Sequence, residues 1–434
     1  MKIAVVGLGK IGLPLAVQYA SKGHDVYGVD ADEGVVELVN AGRVPFPGEA
    51  HLAELLESLS RTGAIVAETS YQKVIPGVDV VVVVVPLFST SNGEPDFRIM
   101  DSATESIAKN LTRNTLVLYE TTLPVGTTRQ RWAPMLEKIS GLTQGEDFFV
   151  AFSPERVLTG RVFEDLKKYP KIVGALCEEG AQLAENFYQQ VLDFDDRPDL
   201  VRPNGVWMVP SAEAAEFVKL AETTYRDVNI GLANQFAIHA DSIGVDIYEV
   251  IEAANSQPFS HIHQPGIAVG GHCIPIYPRL YLWNDPDATI VSAARQANLE
   301  MPGYSVGLLE KELETLEGVR VLILGASYRG GVKETAFSGV FDVYRELLAR
   351  GASPTVLDPM FSADELGALG LAPHLEGDDV DAIIVQSNHA EFRALDSKDF
   401  PGVKVVVDGR NWLQAGSFPK IISVGKTLQA KSQR

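Results

Sequence analysis

Short apolar runs bounded by glycine and acidic residues recur along the chain, each followed by a stretch of helical spacing. This alternation predicts an α/β fold. The first run, Ile3-Ala4-Val5-Val6, leads into Gly7-Leu8-Gly9-Lys10-Ile11-Gly12 and an Ala/Leu-rich stretch to Lys22, then Asp25-Val26-Tyr27-Gly28-Val29-Asp30. Further runs lie at 78–85, 116–119, 148–152 and 171–174. Runs that are apolar throughout suit strands buried on both faces of a parallel sheet. From Ser211 to about Ala240 the period turns helical. Ser211 and Glu213 to Glu216 read as an N-cap and acidic first turn, followed by Phe217, Leu220, Tyr225, Val228 and Leu232. After a helix near 304–316 the strand pattern returns at 319–325, 353–358, 381–386 and 403–408. The expected architecture is two Rossmann-like, doubly wound parallel sheets joined by a central long-helix region, with divisions at 1–210, 211–303 and 304–434.

Two of these segments carry chemistry. In the first turn Gly7 makes the bend, Gly9 lets a diphosphate meet the backbone, and Gly12 lets the helix pack on the strand. The diphosphate would rest on free N–H groups at the helix start. Asp30 would hold the ribose hydroxyls and repel a 2′-phosphate, so NAD is expected and NADP disfavoured. The second sheet's first turn, Leu324-Gly325-Ala326-Ser327, lacks the full glycine pattern, which points to a different nucleotide. The other segment is Gly270-Gly271-His272-Cys273-Ile274-Pro275, a lone cysteine in a backbone able to approach a ligand closely. The only other cysteine is Cys177, so neither a disulfide scaffold nor a Cys-rich zinc site is expected. Cys273 reads as a nucleophile. His261 and His263 form a His-x-His pair without an evident third ligand, so no metal is expected.

Composition narrows the class. A chain of 434 residues exceeds what one core usually supports. A net charge of -20 argues against nucleic acid or an anionic membrane as partner. The run 78–85 contains Asp79 and is too short to span a bilayer. Few cysteines and an apolar strand directly at Met1 suit a cytoplasmic enzyme.

The motifs, taken in order, make the chain resemble the UDP-sugar 6-dehydrogenases. The resemblance rests on the N-terminal glycine turn, Glu120-Thr121-Thr122-Leu123-Pro124-Val125-Gly126-Thr127, Ser153-Pro154-Glu155-Arg156-Val157-Leu158 and Ala215-Glu216-Phe217-Val218-Lys219-Leu220. The cysteine loop, Leu324-Gly325-Ala326-Ser327-Tyr328-Arg329 and Asp408-Gly409-Arg410 complete it. Tyr225-Arg226-Asp227-Val228-Asn229 and the forms of the Ser-Pro-Glu and cysteine segments are similar to the branch acting on UDP-N-acetylhexosamines. The resemblance implies NAD-dependent oxidation of a hexose C6 alcohol to a carboxylate, through a thiohemiacetal and a thioester on Cys273. It implies that Lys219 stabilises the C6 oxygen and that Glu155 and Thr122 position water and hydroxyl for proton transfer. Lys10, Ile11, Pro86, Thr122 and Glu155 join Gly7, Gly9, Gly12 and Asp30 as expected cofactor contacts. Arg156, Lys219, His261, Gly270, Gly271, Arg329 and Arg410 are the expected substrate contacts. It also implies a homodimer paired through the central helices, with a UDP-sugar as the small-molecule partner.

Several positions depart from the family pattern. Tyr277 stands where an aspartate helps activate water, and Thr223 where an asparagine follows the lysine; both are counted with the catalytic set. Phe259 and Ala336 replace arginines, with His261 and Lys333 near them, and Leu87 replaces a threonine. A phenol has an unperturbed pKa of about 10 and does not replace a carboxylate base. The alternatives are a UDP-glucose 6-dehydrogenase, a specialised variant with altered final hydrolysis, a degenerate nucleotide-sugar binding protein, and a β-hydroxyacid dehydrogenase, which would need neither Cys273 nor a second sheet.

Overall fold

The structure, a computed structural model, describes residues 1–90 and 93–426. The chain forms two compact units, Met1–Glu222 and Thr223–Arg434.

The first unit is built on an eight-stranded sheet of β1 (Lys2–Val6), β2 (Asp25–Val29), β3 (Ile65–Glu68), β4 (Val80–Val83), β5 (Leu116–Tyr119), β6 (Phe149–Phe152), β7 (Lys171–Ala175) and β8 (Val206–Met208). The spatial order is β8-β7-β6-β5-β4-β1-β2-β3. Strand order reverses beside β1, where a doubly wound sheet opens a crevice for ligands. The sheet is not wholly parallel: β7 pairs antiparallel to β6, and β8 runs with β7. The segment between β6 and β7 contains the seven-residue helix Val162–Lys168. The core joins Ile3 and Val5 of β1, Leu13, Val17 and Tyr19 of α1 (Gly12–Ser21), and Phe187 and Tyr188.

The second unit carries a five-stranded, all-parallel sheet of β9 (Arg320–Leu324), β10 (Ser353–Leu357), β11 (Ala382–Val385), β12 (Val405–Asp408) and β13 (Ile421–Ser423), ordered β10-β9-β11-β12-β13. Helices precede it. α2 (Ala212–Ile243) is 32 residues long and runs across the boundary between the units. α3 (Tyr277–Asn284) and α4 (Thr289–Leu313) follow. α4 begins well before the expected helix near 304–316 and contains Pro302. A proline usually stops a helix pattern. Here the helix continues through it. Among the described residues no helix is long and apolar enough to cross a membrane.

Candidate active site

The expected site residues fall into two groups, one in each unit. In the first unit Gly7 takes φ +95° and its N–H bonds Val29 O at 2.8 Å, which turns β1 into α1. A Cβ at Gly12 would lie 1.8 Å from Gly7 O, so the helix can pass the turn only without a side chain there. Gly9 differs from both. It is exposed, its φ is not positive, and a Cβ would meet no protein atom within 4 Å. The protein itself does not need glycine at Gly9; an incoming diphosphate does. Asp30 at the end of β2 accepts the Leu8 N–H at 2.7 Å and the Asp32 N–H at 3.0 Å and remains half-buried. Lys10 is exposed, Ile11 is partly buried beside the turn, and Pro86 is exposed beyond β4. These residues fit the cofactor the turn implies.

Behind the turn, Thr122 is buried just after β5. Glu216 on α2 is wholly buried and accepts from Gly126 N–H (2.5 Å), Thr128 N–H (2.9 Å) and the Thr128 hydroxyl (2.6 Å). Burial pushes its carboxyl up to about 7, against the opposing pull of those donors. This anchor fixes the first turns of α2 and therefore Lys219, which is buried one turn further on. Lys219 Nζ lies 3.4 Å from Glu222 Oε1, and Glu222 Oε2 accepts from Arg156 Nε at 2.9 Å. Lys219, Glu222 and Arg156 thus form one charged row. Glu155 beside it bonds Lys171, a residue that the apolar pattern assigned simply to a strand.

In the second unit Cys273 is exposed and free, at the head of α3, where its carbonyl accepts the Ile276 and Tyr277 N–H groups at 3.2 and 2.9 Å. The flanking glycines have a reason the sequence did not reveal. A Cβ at Gly270 would meet Tyr328 and Phe337 O, and one at Gly271, where φ is +90°, would press on the Tyr328 ring. Their close approach is to the loop after β9. Gly271 N–H also bonds Ala336 O at 2.9 Å, and His272 Nε2 is 3.4 Å from Glu334. On the other side Ile274 O lies 3.5 Å from Arg295, which pairs with buried Asp227 at 2.5 Å. Asn298 bonds Asp227 and receives Asn234, whose oxygen takes the Gly266 N–H. This buried network ties α2 to α4 and steadies the cysteine loop. Sequence reasoning missed it; Asp227, Asn234, Arg295 and Asn298 at helical spacing on otherwise apolar stretches are the available signal.

The remaining residues are dispersed within this unit. Thr223 is buried on α2. His261 is exposed and held through its carbonyl by Asn229 Nδ2 at 2.7 Å, while Asn229 Oδ1 takes the His263 N–H. Phe259 is 91% exposed. Arg329 Nε donates to the Tyr328 hydroxyl, and Lys333 pairs with Glu365 at the surface. Arg410 Nε donates to Gln386 O at 2.7 Å. Burial lowers its pKa to about 10, against the opposing effect of Tyr248 and Asp408.

Three models of one family match along the chain. The NAD binding domain of the UDP-glucose/GDP-mannose dehydrogenase family matches residues 1–192, its central domain 213–300 and its UDP binding domain 322–415. A UDP-N-acetyl-D-mannosamine dehydrogenase of Pyrococcus horikoshii is 36% identical over 95% of this chain and 96% of its own. An NDP-N-acetyl-D-galactosaminuronic acid dehydrogenase of Ralstonia solanacearum is 30% identical over 95% of this chain and 96% of its own. Among solved structures, the UDP-D-ManNAc dehydrogenase of P. horikoshii superposes with a TM-score of 0.86 at 32% identity, over 98% of this chain and 99% of that one. A UDP-glucose dehydrogenase from Pyrobaculum islandicum also reaches 0.86, at 28% identity over 98% and 97%. The chain belongs to the UDP-glucose/GDP-mannose dehydrogenase family of NAD-dependent oxidoreductases.

Proposed function

We propose that this enzyme oxidises the C6 alcohol of a UDP-N-acetylhexosamine, with UDP-N-acetylmannosamine the first candidate, to the corresponding uronic acid. The observation that carries the covalent part is the exposed Cys273 thiol on a loop braced by Tyr328 on one side and the Asp227–Arg295 pair on the other. The relatives named for N-acetylhexosamine substrates support the sugar. Gly7, Gly9, Gly12 and Asp30 would hold NAD, which would supply the hydride acceptor for each of the two oxidations.

The chain's own residues supply the rest. Loss of a proton and a hydride from the C6 alcohol leaves an aldehyde, with Lys219 stabilising charge on its oxygen. Cys273 Sγ then bonds to C6, and the carbonyl oxygen takes a proton to give a thiohemiacetal. A second loss of proton and hydride leaves a thioester. Water adds to it, Glu155 takes the water's proton, and the C–S bond breaks to release the acid and the Cys273 thiolate. Thr122 orients the hydroxyl. Arg156, His261, Arg329 and Arg410 are the polar contacts for the nucleotide sugar, and Thr223, four residues beyond Lys219, joins the catalytic set.

Tyr277 opens α3 where a carboxylate would help activate water, so thioester hydrolysis is the slow step in this reading. Exposed Tyr225, Leu232, Phe236 and Ile243 recur at seven, four and seven residues along α2, a stripe suited to pairing with a second copy. The test is a panel of UDP-sugars, followed by NADH formation and by intact mass. A covalent adduct on Cys273 with the N-acetylhexosamine is expected. Turnover confined to UDP-glucose would overturn the sugar assignment. Absence of adduct together with a full isotope effect from C6-deuterated substrate would overturn slow hydrolysis.

A further inference from the structure

A charged cluster sits under Glu155, and neither the cofactor nor the substrate contacts account for it. Lys171 opens β7 and is 5% exposed. Its Nζ donates to Glu155 Oε2 at 2.8 Å and to Glu120 Oε2 at 2.9 Å. Glu120 is buried at the end of β5, where its other oxygen accepts the Tyr188 hydroxyl at 2.6 Å and the Tyr19 hydroxyl at 3.4 Å. The Tyr188 ring lies 4.8 Å from the ammonium. Glu155 keeps its side chain 11% exposed, and its free oxygen accepts the Arg156 N–H at 2.8 Å.

One ammonium therefore serves two carboxylates of unequal setting. Glu120 is enclosed by phenols in the core; Glu155 reaches outward. A structural ion pair needs one carboxylate, and burying a second charge is costly unless it does something. The other ionisable groups around the cluster are engaged elsewhere. The Arg156 guanidinium turns to Glu222, and Asp165 turns to Arg161 and the Leu158 N–H. Tyr169 stacks loosely under Arg156.

We propose that Lys171 is a positioning residue that holds Glu155 ionised and in one orientation, with Glu120 as the buried counter-ion that keeps Lys171 charged whenever Glu155 takes up a proton. The proposal rests on the assignment of Glu155 as proton acceptor. The electrostatics agree with the geometry. Burial works to raise Glu155, but the charge and hydrogen bond of Lys171 bring it below the usual carboxylate range. Burial keeps Glu120 above that range despite the same lysine. Burial works to lower Lys171, and the two carboxylates together hold it above its ordinary value.

The experiment compares the kcat–pH profile and Tm of wild type, Lys171→Met, Lys171→Arg, Glu120→Gln and Glu155→Gln, with NAD and UDP-N-acetylmannosamine. Loss of the ammonium raises the Glu155 pKa, so Lys171→Met should move the acid limb of kcat upward by about one pH unit, a roughly tenfold loss on the acid side. KM for NAD should hold, and Lys171→Arg should return most of the limb. Glu120→Gln removes a like charge and should move the limb to lower pH, which keeps the test open if Lys171→Met does not fold. A limb unmoved in folded Lys171→Met or in Glu120→Gln overturns the proposal, as does an arginine variant as defective as the methionine one. Glu155→Gln separates the two levels. If it retains the limb, the role of Glu155 is wrong; if it abolishes the limb while the Lys171 and Glu120 variants leave it in place, only the positioning role is wrong.

Discussion

In both units the first strand ends at a glycine in the left-handed region, Gly7 at φ +95° and Gly325 at φ +103°. In both, that glycine's N–H bonds the neighbouring strand, at Val29 O or Leu357 O, and an acid at the neighbouring strand's end accepts from the turn. There the likeness stops. Asp30 takes one turn N–H and stays half-buried, and Gly9 beside it faces open space. Asp358 takes both the Ala326 and Ser327 N–H groups, caps Met360, lies 3.1 Å from His389 Nε2 and is buried. One acid keeps capacity for a ribose; the other is consumed by its own loop. The same strand–turn–strand grammar therefore makes a dinucleotide site only where turn donors and acid are left partly unsatisfied.

The largest effects should come where both turns are equally intolerant. A Cβ at Gly12 would lie 1.8 Å from Gly7 O, and one at Gly325 would lie 1.9 Å from Ser387 Oγ. Gly12→Ala and Gly325→Ala should each cost about 3 kcal/mol in urea unfolding through overpacking and backbone strain. A near-neutral result at either would show that the turn relaxes freely.

The acids should separate next. Asp30→Ala removes a charged acceptor from the expected ribose position and should raise KM for NAD by roughly tenfold to a hundredfold, narrowing the preference over NADP. Asp358→Asn should leave NAD binding alone and lower stability. Burial works to raise Asp358, but His389 and the Ser327 and Met360 N–H groups hold it down to about 2, from an ordinary 3.8. A depressed carboxylate stabilises the fold above its unfolded pKa and ceases to do so as pH falls through the folded one. The variant should be about 2 kcal/mol less stable at neutral pH. That gap should close between 3.8 and about 2. A pH-independent gap would mean that the loss is steric. The smallest change is Gly9→Ala, which should leave Tm unaltered and weaken NAD by roughly tenfold. A drop in Tm with unchanged KM would reverse the roles assigned to Gly9 and Gly12.

Much of this was legible in the sequence, and the misses have physical causes. The all-apolar strands and the spacing from Gly7 to Asp30 announce themselves because burial on both faces and a tight turn leave few residue choices. β7 and β8 were harder. Strand composition does not encode strand direction, so the antiparallel pairing of β7 with β6 is not visible in it. The first half of α4 was hidden by Pro302, which the surrounding packing tolerates. The glycines beside Cys273 were identified, but not that Tyr328 and Phe337 fill the space they leave. Lys171 looked like a strand's first residue, since a single sequence does not show that Glu120 and Glu155, 51 and 16 positions away, converge on it.

The central claim is covalent oxidation at Cys273, and it is tested most directly by replacing that one sulfur. Wild type and Cys273→Ser would be mixed with NAD and UDP-N-acetylmannosamine, with NADH followed by absorbance and the acid by mass spectrometry. The account predicts two NADH per acid from wild type, and no acid from the serine variant, whose hydroxyl is a poorer nucleophile and leaving group, while NAD and nucleotide-sugar binding persist. Acid formation at a near-wild-type rate by Cys273→Ser would contradict it.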